Sequence, residues 1–418
     1  DGGAGGAGRI YIEYPGATGT HTDPNPDATT GTGAVNNTYP TGIINSYAGL
    51  TATANQNAVQ ITVNSTSGFQ TGDEILVVQM QHPTNAGKYE FKKNITVVNG
   101  TTVSFLEPLA NTYYYDAVNN YRAQIVRVPN YADFTVAGGT SITSSAYDKT
   151  TGKGGILIFK ATGMVTVNGA IDAQGKGFAG GASIDSNPSS TGYQGESYVG
   201  TPPVLSTTET NQGPALAPNA GAGGGGGFSK SNYKGCGGGG GSYAGGAANG
   251  QNGTGCSGGS AGGTYGVPDL ATLFLGSGGG SGGAEYDNTL WYTGKGGNGG
   301  GLVFVAANAL NVGALGTIKA GGETGSNHSI TGSPALEIVG SGGGGSGGSV
   351  YLGANSAPTG LAGVNAAGGA GGTWGLDGGA GGAGRIYIEY PGATQDGTEA
   401  APNPAARTGV GGFNGIYT

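Results

Sequence analysis

The chain has 418 residues, of which 96 are glycine, about three times the usual share for a globular protein. Charged residues make up only 10% and the formal net charge is −8, which disfavours an ordinary enzyme domain and a nucleic-acid-binding protein. A collagen-like fold is excluded, because the glycines keep no triplet period and only 18 residues are proline. No apolar run is long enough to span a membrane. The sequence begins inside a repeated motif, so we expect a mature product or a segment of something longer.

Residues 43–135 differ from the rest of the chain, because they contain few glycines and many β-branched residues. Apolar and polar residues alternate through AVQITVNSTSGFQTGDEILVVQM, with a turn at Gly72-Asp73. Asn99-Gly100 separates two further alternating runs, which is a strong hairpin signal. The pattern predicts a small, mostly antiparallel β-barrel or roll.

A glycine tract followed by an alternating strand recurs four times within residues 136–394. The copies are Gly154–Ala161, Gly300–Ala307, Gly347–Ala354 and Ala383–Tyr390. The first three copies are followed by a second, weaker strand and by more glycine, which indicates an internal repeat. The spacing between copies is uneven, and no helical periodicity of useful length is present. The sequence therefore predicts an all-β fold, in which a parallel β-solenoid or a β-sandwich carries glycine-rich excursions, the longest at 182–299.

The glycine tracts, such as Ala220–Phe228 and Gly340–Ser349, permit two interpretations. They are either flexible linkers or extended, polyproline-II-like segments packed side by side. We favour packing, because the tracts adjoin strands and contain alanine and serine rather than charged residues. Bare backbones can approach closely and hydrogen-bond to one another. Ordering glycine costs about 1–2 kcal/mol per residue, so neighbouring strands would have to act as a template.

The sequence contains no convincing catalytic or cofactor motif. Gly3-x-Gly5-x-x-Gly8 has the letters of a dinucleotide fingerprint, but it precedes a strand and no helix follows. The three histidines lie outside zinc-binding patterns, and no pair of carboxylates stands out as a glycosidase couple. We therefore expect a non-enzyme without catalytic residues, metal or cofactor. Cys236 and Cys256 form a candidate disulfide, with two unpaired thiols as the alternative.

The block DGGAGGAGRIYIEYPGAT occurs twice, at Asp1–Thr18 and at Asp377–Thr394, an offset of 376 residues. We favour a tandem array with this period, in which residues 1–42 end one repeat and supply a proline-containing linker, and residues 395–418 lead to the next. The alternative is a subunit whose two ends mimic each other for strand exchange between neighbours. In both cases the junction strand comprises Arg9, Ile10, Tyr11 and Ile12 in one copy, and Arg385, Ile386, Tyr387 and Ile388 in the other.

Four segments occur in an order that resembles modules of very large secreted surface proteins of gliding and filamentous bacteria. They are VTVNSTSGFQTGDEILVVQMQ, NAGKYEF, AQIVRVPNY and GGILIFKATGMVTVNGAIDAQGKGFAGG. Such proteins, of the Bacteroidota and Chloroflexota type, are glycine-rich, repetitive and adhesin-like. The glycine tracts are also similar to those of some phage tail-fibre adhesins, in which polyglycine helices pack into a bundle. These resemblances imply a secreted, surface-exposed and non-enzymatic role.

We therefore predict a structural and adhesive module of an extracellular bacterial filament or giant surface protein. Its expected partners are neighbouring copies of itself and surface polysaccharide, with no nucleic acid and no membrane span. Adhesive specificity would lie on the excursion 182–299, because loops vary most freely. The alternative is a carbohydrate-binding or carbohydrate-active β-solenoid with a groove lined by aspartate and tyrosine.

Overall fold

A computed structural model describes residues 41–184, 191–200, 212–213, 220–229, 234–284, 291–327, 329–330 and 339–391. The regular secondary structure of these residues is β-strand apart from a 3-10 turn at Leu361–Gly363, so the predicted all-β class is confirmed. In chain order the strands are β1 (Gly42–Ile43), β2 (Tyr47–Gly49), β3 (Gln60–Thr62), β4 (Glu74–Gln81), β5 (Tyr89–Lys92), β6 (Thr96–Asn99), β7 (Thr102–Ser104), β8 (Arg122–Val128), β9 (Asn130–Tyr131), β10 (Phe134–Val136), β11 (Ser141–Thr143), β12 (Ile156–Val167), β13 (Ala170–Asp172), β14 (Gln212–Gly213), β15 (Phe228–Ser229), β16 (Lys234–Gly235), β17 (Trp291–Tyr292), β18 (Leu302–Val312), β19 (Thr317–Lys319), β20 (Ser329–Ile330), β21 (Ser349–Ala354), β22 (Val364–Asn365) and β23 (Arg385–Glu389).

Strands β2 to β8 form the predicted antiparallel roll. One of its sheets has the order β2-β8-β4-β5, and the other has the order β3-β7-β6. The Asn99-Gly100 signal lies at the turn of the β6–β7 hairpin. Every residue of β4 is buried, so this strand has a partner on each of its faces. Ile75 and Val77 point into the core of the roll, whereas Leu76 and Val78 belong to a second core outside it.

Two fully parallel sheets form a solenoid that adjoins the roll. The long-strand sheet has the order β10-β12-β18-β21-β23, and the short-strand sheet has the order β1-β11-β13-β19-β22. The chain passes from β12 to β13, from β18 to β19 and from β21 to β22, so each coil gives one strand to each sheet. This coiling decides between the two predicted architectures in favour of the solenoid. The four strands expected after glycine tracts are β12, β18, β21 and β23.

Alternate residues of the long strands face two different cores, which explains why parallel strands read as nearly continuous apolar runs. Leu157 and Phe159 of β12 point between the two solenoid sheets, where they meet the short strands. Ile156 and Ile158 point outward, against the roll. The outer core therefore joins the two units, and its roll residues include Leu76, Val78, Val126 and Val128.

A buried ion pair crosses the same boundary. The Lys160 Nζ of β12 lies 2.6 Å from the Glu74 Oε1 of β4, and the two side chains are 1% and 5% exposed. The Asn130 side chain donates to the other carboxylate oxygen at 3.1 Å, and the Lys160 ammonium lies 4.0 Å from the centre of the Phe91 ring. The two charges are therefore compensated although water is excluded.

The glycine tracts pack as polyglycine II helices, as is clearest at residues 236–242. The N–H groups of residues 236, 239 and 242 donate to carbonyls of the tract 221–227 at 2.7–2.9 Å. Those of residues 237 and 240 donate to Gln251 and Ala248, and those of residues 238 and 241 donate to Ser341 and Gly344. The N–H groups of successive residues thus donate to three different neighbouring tracts in turn. This repeat of three residues is the period of an extended left-handed helix.

The carbonyls of the same tract accept from three more neighbours. Donors to them come from residues 259 and 262, from 280 and 283, and from 379 and 382. Each interior tract can therefore have six neighbours, and its backbone polar groups are satisfied without side chains. We call this assembly the glycine lattice. The predicted polyglycine-II packing is present, and the linker interpretation is wrong for these tracts.

The glycine lattice extends from the N-terminal ends of the long strands. Tracts ending at Gly301, Gly348 and Gly384 lead directly into β18, β21 and β23, and we call this end the base. The opposite end, where the chain reverses between tracts, is the tip. At 3.1 Å per residue, the tract 340–348 spans about 25 Å from tip to base.

Candidate functional site

Several reversals of the chain converge at the tip. Gly283 donates to the Cys236 carbonyl at 2.9 Å, Gly340 donates to Gly283 at 3.3 Å, and Gly294 donates to Gly340 at 3.0 Å. Cys236, Gly283, Gly294 and Gly340 belong to four different tracts, yet the bonds place them at one level of the lattice. The lattice thereby gathers segments that are distant in sequence onto one small surface.

The two cysteines lie at this level. Cys236 and Cys256 are joined in a disulfide with a Cα–Cα distance of 6.0 Å, and the N–H of Gly253 donates to the Cys236 sulphur at 2.9 Å. Leu376 packs against the bond and completes a small apolar cluster. The disulfide closes a loop of 20 residues and ties two neighbouring tracts together at the tip.

Two aromatic side chains are exposed at the tip, Trp374 at 64% and Tyr292 at 40%. Each lies beside a backbone contact to one stretch of chain, at Asn327 for Trp374 and at Ser329 for Tyr292. The N–H of Thr373 donates to the Asn327 Oδ1 at 2.8 Å, and Tyr292 pairs with Ser329 between β17 and β20. We call Tyr292, Asn327 and Trp374 the tip surface. Exposed aromatic side chains at one end of the lattice make this surface a candidate binding site.

Hydroxyl and amide side chains hydrogen-bond to the backbone at this end of the lattice. The hydroxyl of Ser341 donates to the Trp374 carbonyl, and the hydroxyl of Ser326 accepts from the N–H of Lys295 at 2.7 Å. The Gln251 side-chain oxygen accepts from the N–H of Asp377 at 3.0 Å. Within the described ranges, no cluster of three or more histidine, cysteine, aspartate or glutamate side chains is arranged to hold a metal ion. The same ranges contain no helix long and apolar enough to cross a membrane.

The second copy of the predicted junction strand, Arg385 to Ile388, forms most of β23. This strand pairs in parallel with β21, and Ile388 is buried in the solenoid core. The Arg385 guanidinium donates to the Tyr265 carbonyl at 2.8 Å and lies 5.2 Å from the centre of the Tyr243 ring. The first copy, Arg9 to Ile12, lies outside the described residues, and its role stays a prediction.

A row of aromatic rings follows the outer face of the last rungs. The Phe304 and Tyr351 rings are stacked with centroids 4.2 Å apart, and the Tyr351 and Tyr387 centroids are 5.7 Å apart. The Tyr351 hydroxyl donates to the Glu389 carboxylate at 2.7 Å. Burial raises the pKa of Glu389 above its ordinary value, although this hydrogen bond acts in the opposite direction. Burial and the Glu389 charge raise the pKa of Tyr387 to about 12.

The sequence patterns did not single out the tip surface. A usable signal was present, because the chain has only two tryptophans and Trp374 interrupts a tract of small residues, GGTWGLDGG. A large ring cannot enter the lattice, where neighbouring backbones touch. It must therefore lie where a tract ends.

No family model and no curated protein matches the chain. Three solved phage tailspikes match part of it: gp54 of Acinetobacter baumannii bacteriophage AP22 in complex with A. baumannii capsular saccharide (16% identity, TM-score 0.18), gp61 of Pseudomonas phage phi297 (12%, 0.17) and gp49 of Pseudomonas phage LKA1 (14%, 0.16). The matches cover 31–32% of this chain and 24–25% of the tailspikes, so the chain matches about a quarter of their length. Similarity at this level does not assign a function.

Proposed function

We propose that the chain is an extracellular adhesive module that binds polysaccharide at the tip surface. The observation that carries the proposal is the position of Trp374 and Tyr292. These two exposed aromatic side chains lie beside backbone contacts to Asn327 and Ser329, at the end of a hydrogen-bonded glycine lattice. The excursion 182–299 contributes Tyr292, whereas Asn327 and Trp374 come from later tracts.

The lattice supports this role because it holds the tip in one arrangement. Backbone groups at the level of Cys236 are paired with neighbouring tracts, and the Cys236–Cys256 disulfide adds a covalent link there. A binding surface that is ordered before it meets its ligand loses less entropy on binding. A disulfide also suits an oxidising, extracellular compartment.

The chemistry of the tip surface favours a sugar. Aromatic rings can stack against the C–H faces of pyranose rings, and the Asn327 amide and nearby hydroxyls can exchange hydrogen bonds with sugar hydroxyls. The net charge of −8 argues against a nucleic acid or another polyanion held by charge alone. Repeated tips in an array would add avidity to weak single contacts.

The test is binding to a panel of purified bacterial capsular polysaccharides, followed by calorimetric titration of the best ligand. We expect Trp374→Ala and Tyr292→Ala each to weaken binding about tenfold or more, because stacked aromatic residues dominate such contacts. The control is Leu315→Ala, an 88% exposed apolar residue in the β18–β19 turn of the solenoid. This variant should bind as the wild type does.

Because Trp374 is largely exposed, its replacement should leave the melting temperature unchanged. Weaker polysaccharide binding at an unchanged melting temperature would therefore report a lost ligand contact and not a loss of folding. The proposal fails if no polysaccharide of the panel binds, or if Trp374→Ala binds as tightly as Leu315→Ala.

A further inference from the structure

The last long strand, β23, occupies a well-defined position that closes the solenoid. Its five residues pair in register with β21, from Ser349↔Arg385 to Gly353↔Glu389. Ile388 is 5% exposed and packs in the solenoid core. We call the position of residues 377–391, with these contacts, the closing rung.

Polar contacts select particular side chains for the closing rung. The Arg385 guanidinium requires the Tyr265 and Gly266 carbonyls, at 2.8 and 3.1 Å. The Glu389 carboxylate accepts from the Tyr351 hydroxyl, and the Tyr387 ring stacks on the Tyr351 ring. A segment with arginine, tyrosine and glutamate at the same spacing can reproduce all of these contacts.

The glycines that lead into β23 are equally constrained. Gly379 and Gly382 donate to Gly238 and Gly241, and a Cβ atom on either residue would lie 1.9–2.1 Å from a carbonyl oxygen. Gly384 donates to Ala366, and its Cβ would also meet backbone atoms. The closing rung therefore accepts only a segment with glycine at all three positions.

Residues 1–18 meet every one of these requirements, because they are identical to residues 377–394. Gly3, Gly6 and Gly8 correspond to the constrained glycines, and Arg9, Tyr11, Ile12 and Glu13 correspond to Arg385, Tyr387, Ile388 and Glu389. One chain thus carries two segments for one position. We propose that residues 1–18 fill the closing rung of a second copy of this module.

The proposal is independent of polysaccharide binding and predicts redundancy between the two segments. In full-length Ile388→Asp, the buried aspartate should expel β23, and residues 1–18 of another molecule should take its place. This variant should melt within about 2 °C of the wild type and form oligomers whose fraction rises with concentration in light scattering. Ile12→Asp should stay monomeric and as stable as the wild type.

The double variant Ile12→Asp/Ile388→Asp has no intact segment. It should be monomeric and melt about 5 °C or more below either single variant. The proposal is overturned if Ile388→Asp is already as unstable as the double variant, or if it stays monomeric at every concentration.

A crosslink gives a second readout that does not depend on the melting temperature. Gly353 pairs with Glu389 in the wild type, and Glu13 is the counterpart of Glu389 in residues 1–18. In the Ile388→Asp background, Gly353→Cys and Glu13→Cys would therefore place a thiol of one molecule opposite a thiol of another. We expect a disulfide between molecules on a denaturing gel. Ser349→Cys with Glu13→Cys keeps the same inserted segment, is displaced by four residues and should crosslink at least tenfold less. Equal crosslinking of the two pairs would contradict the parallel register.

Discussion

At the scale of single residues, the lattice separates glycines that must lack a side chain from glycines that need not. A Cβ atom on Gly239 would lie 2.1 Å from the Ser260 carbonyl oxygen. A Cβ atom on Gly246, also within a glycine-rich stretch, would meet nothing within 4 Å. The two positions look alike in sequence, yet only one is fixed by packing.

Gly239→Ala should therefore lower the free energy of unfolding by about 2–4 kcal/mol, since backbone rather than a flexible side chain blocks the methyl group. Gly246→Ala, the matched control, should change it by about 0.5 kcal/mol or less. Urea unfolding of both variants measures the difference. Equal stability of the two would mean that the tracts can separate without loss.

The packing of the glycine tracts was predictable from the sequence, but the neighbours of each tract were not. Alanine and serine beside strands indicated packed tracts, because such residues leave room for neighbouring backbones. The six neighbours of the tract 236–242 could not be predicted, since glycines carry no side chain whose pattern records a partner. The tip surface was missed for a related reason. Trp374 and Tyr292 lie at the same end of the lattice only because separate tracts end at the same level.

At the scale of elements, β23 and β5 carry glutamates whose pKa values shift in opposite directions. Burial raises the pKa of Glu389 above 4.5. For Glu90, burial also acts upward, but hydrogen bonds from Ala110 and Tyr113 and the Lys92 ammonium, 2.8 Å away, bring the pKa below 4.5. The ionised form is therefore unfavourable at Glu389 and favourable at Glu90.

The pH dependence of two matched variants follows from these signs. Ionised Glu389 destabilises the fold above its raised pKa, so Glu389→Gln should melt above the wild type at pH 8, with the gain vanishing as the pH falls to about 4.5. Glu90→Gln should melt below the wild type at pH 8, with the loss shrinking as the pH falls below about 4.5. Thermal melts from pH 3 to 8 measure both. Parallel curves for the two variants would contradict this assignment.

Elements of the repeat were predictable because three of the four copies have a strand directly after a glycine pair, and the fourth has it after Ala383-Gly384. The choice between solenoid and sandwich was not, since alternation in β12 and β18 says which residues share a face and not whether the neighbouring strand is parallel. The order of coils decides this, and it depends on long connections such as that between β13 and β18.

At the scale of the whole molecule, the roll covers the outer face of the long-strand sheet. Leu76 and Val126 of the roll meet Ile156 and Ile158 of the solenoid in one apolar core. Because β4 is fully buried, it must pack against a second element outside the roll. However, 86 residues separate Glu74 from Lys160, and no sequence pattern in either segment identifies the other as its partner. The Lys160–Glu74 pair and the Asn45 side chain, which hydrogen-bonds to both backbone groups of Ile158, are polar contacts at this boundary.

Removing one member of that pair should destabilise more than replacing both. Lys160→Met leaves the Glu74 carboxylate buried without its cation and should lower the free energy of unfolding by about 3–5 kcal/mol. Lys160→Met/Glu74→Gln removes the charge and keeps an acceptor for Asn130, so it should recover most of the loss. Urea unfolding of the single and double variants gives the comparison. A double variant less stable than Lys160→Met would rule out an uncompensated charge as the cause.

The three-residue period of the lattice limits how such a module can change in length. An insertion of one or two residues in a tract would turn every following N–H toward the wrong neighbour, whereas an insertion of three would restore the pattern. Because neighbouring tracts share their bonds, such steps must be matched between the outgoing and returning tracts of an excursion. Each matched step would carry the tip outward by about 9 Å while leaving the coils unchanged. The distance from the base to the tip can therefore change only in fixed increments of three residues per tract.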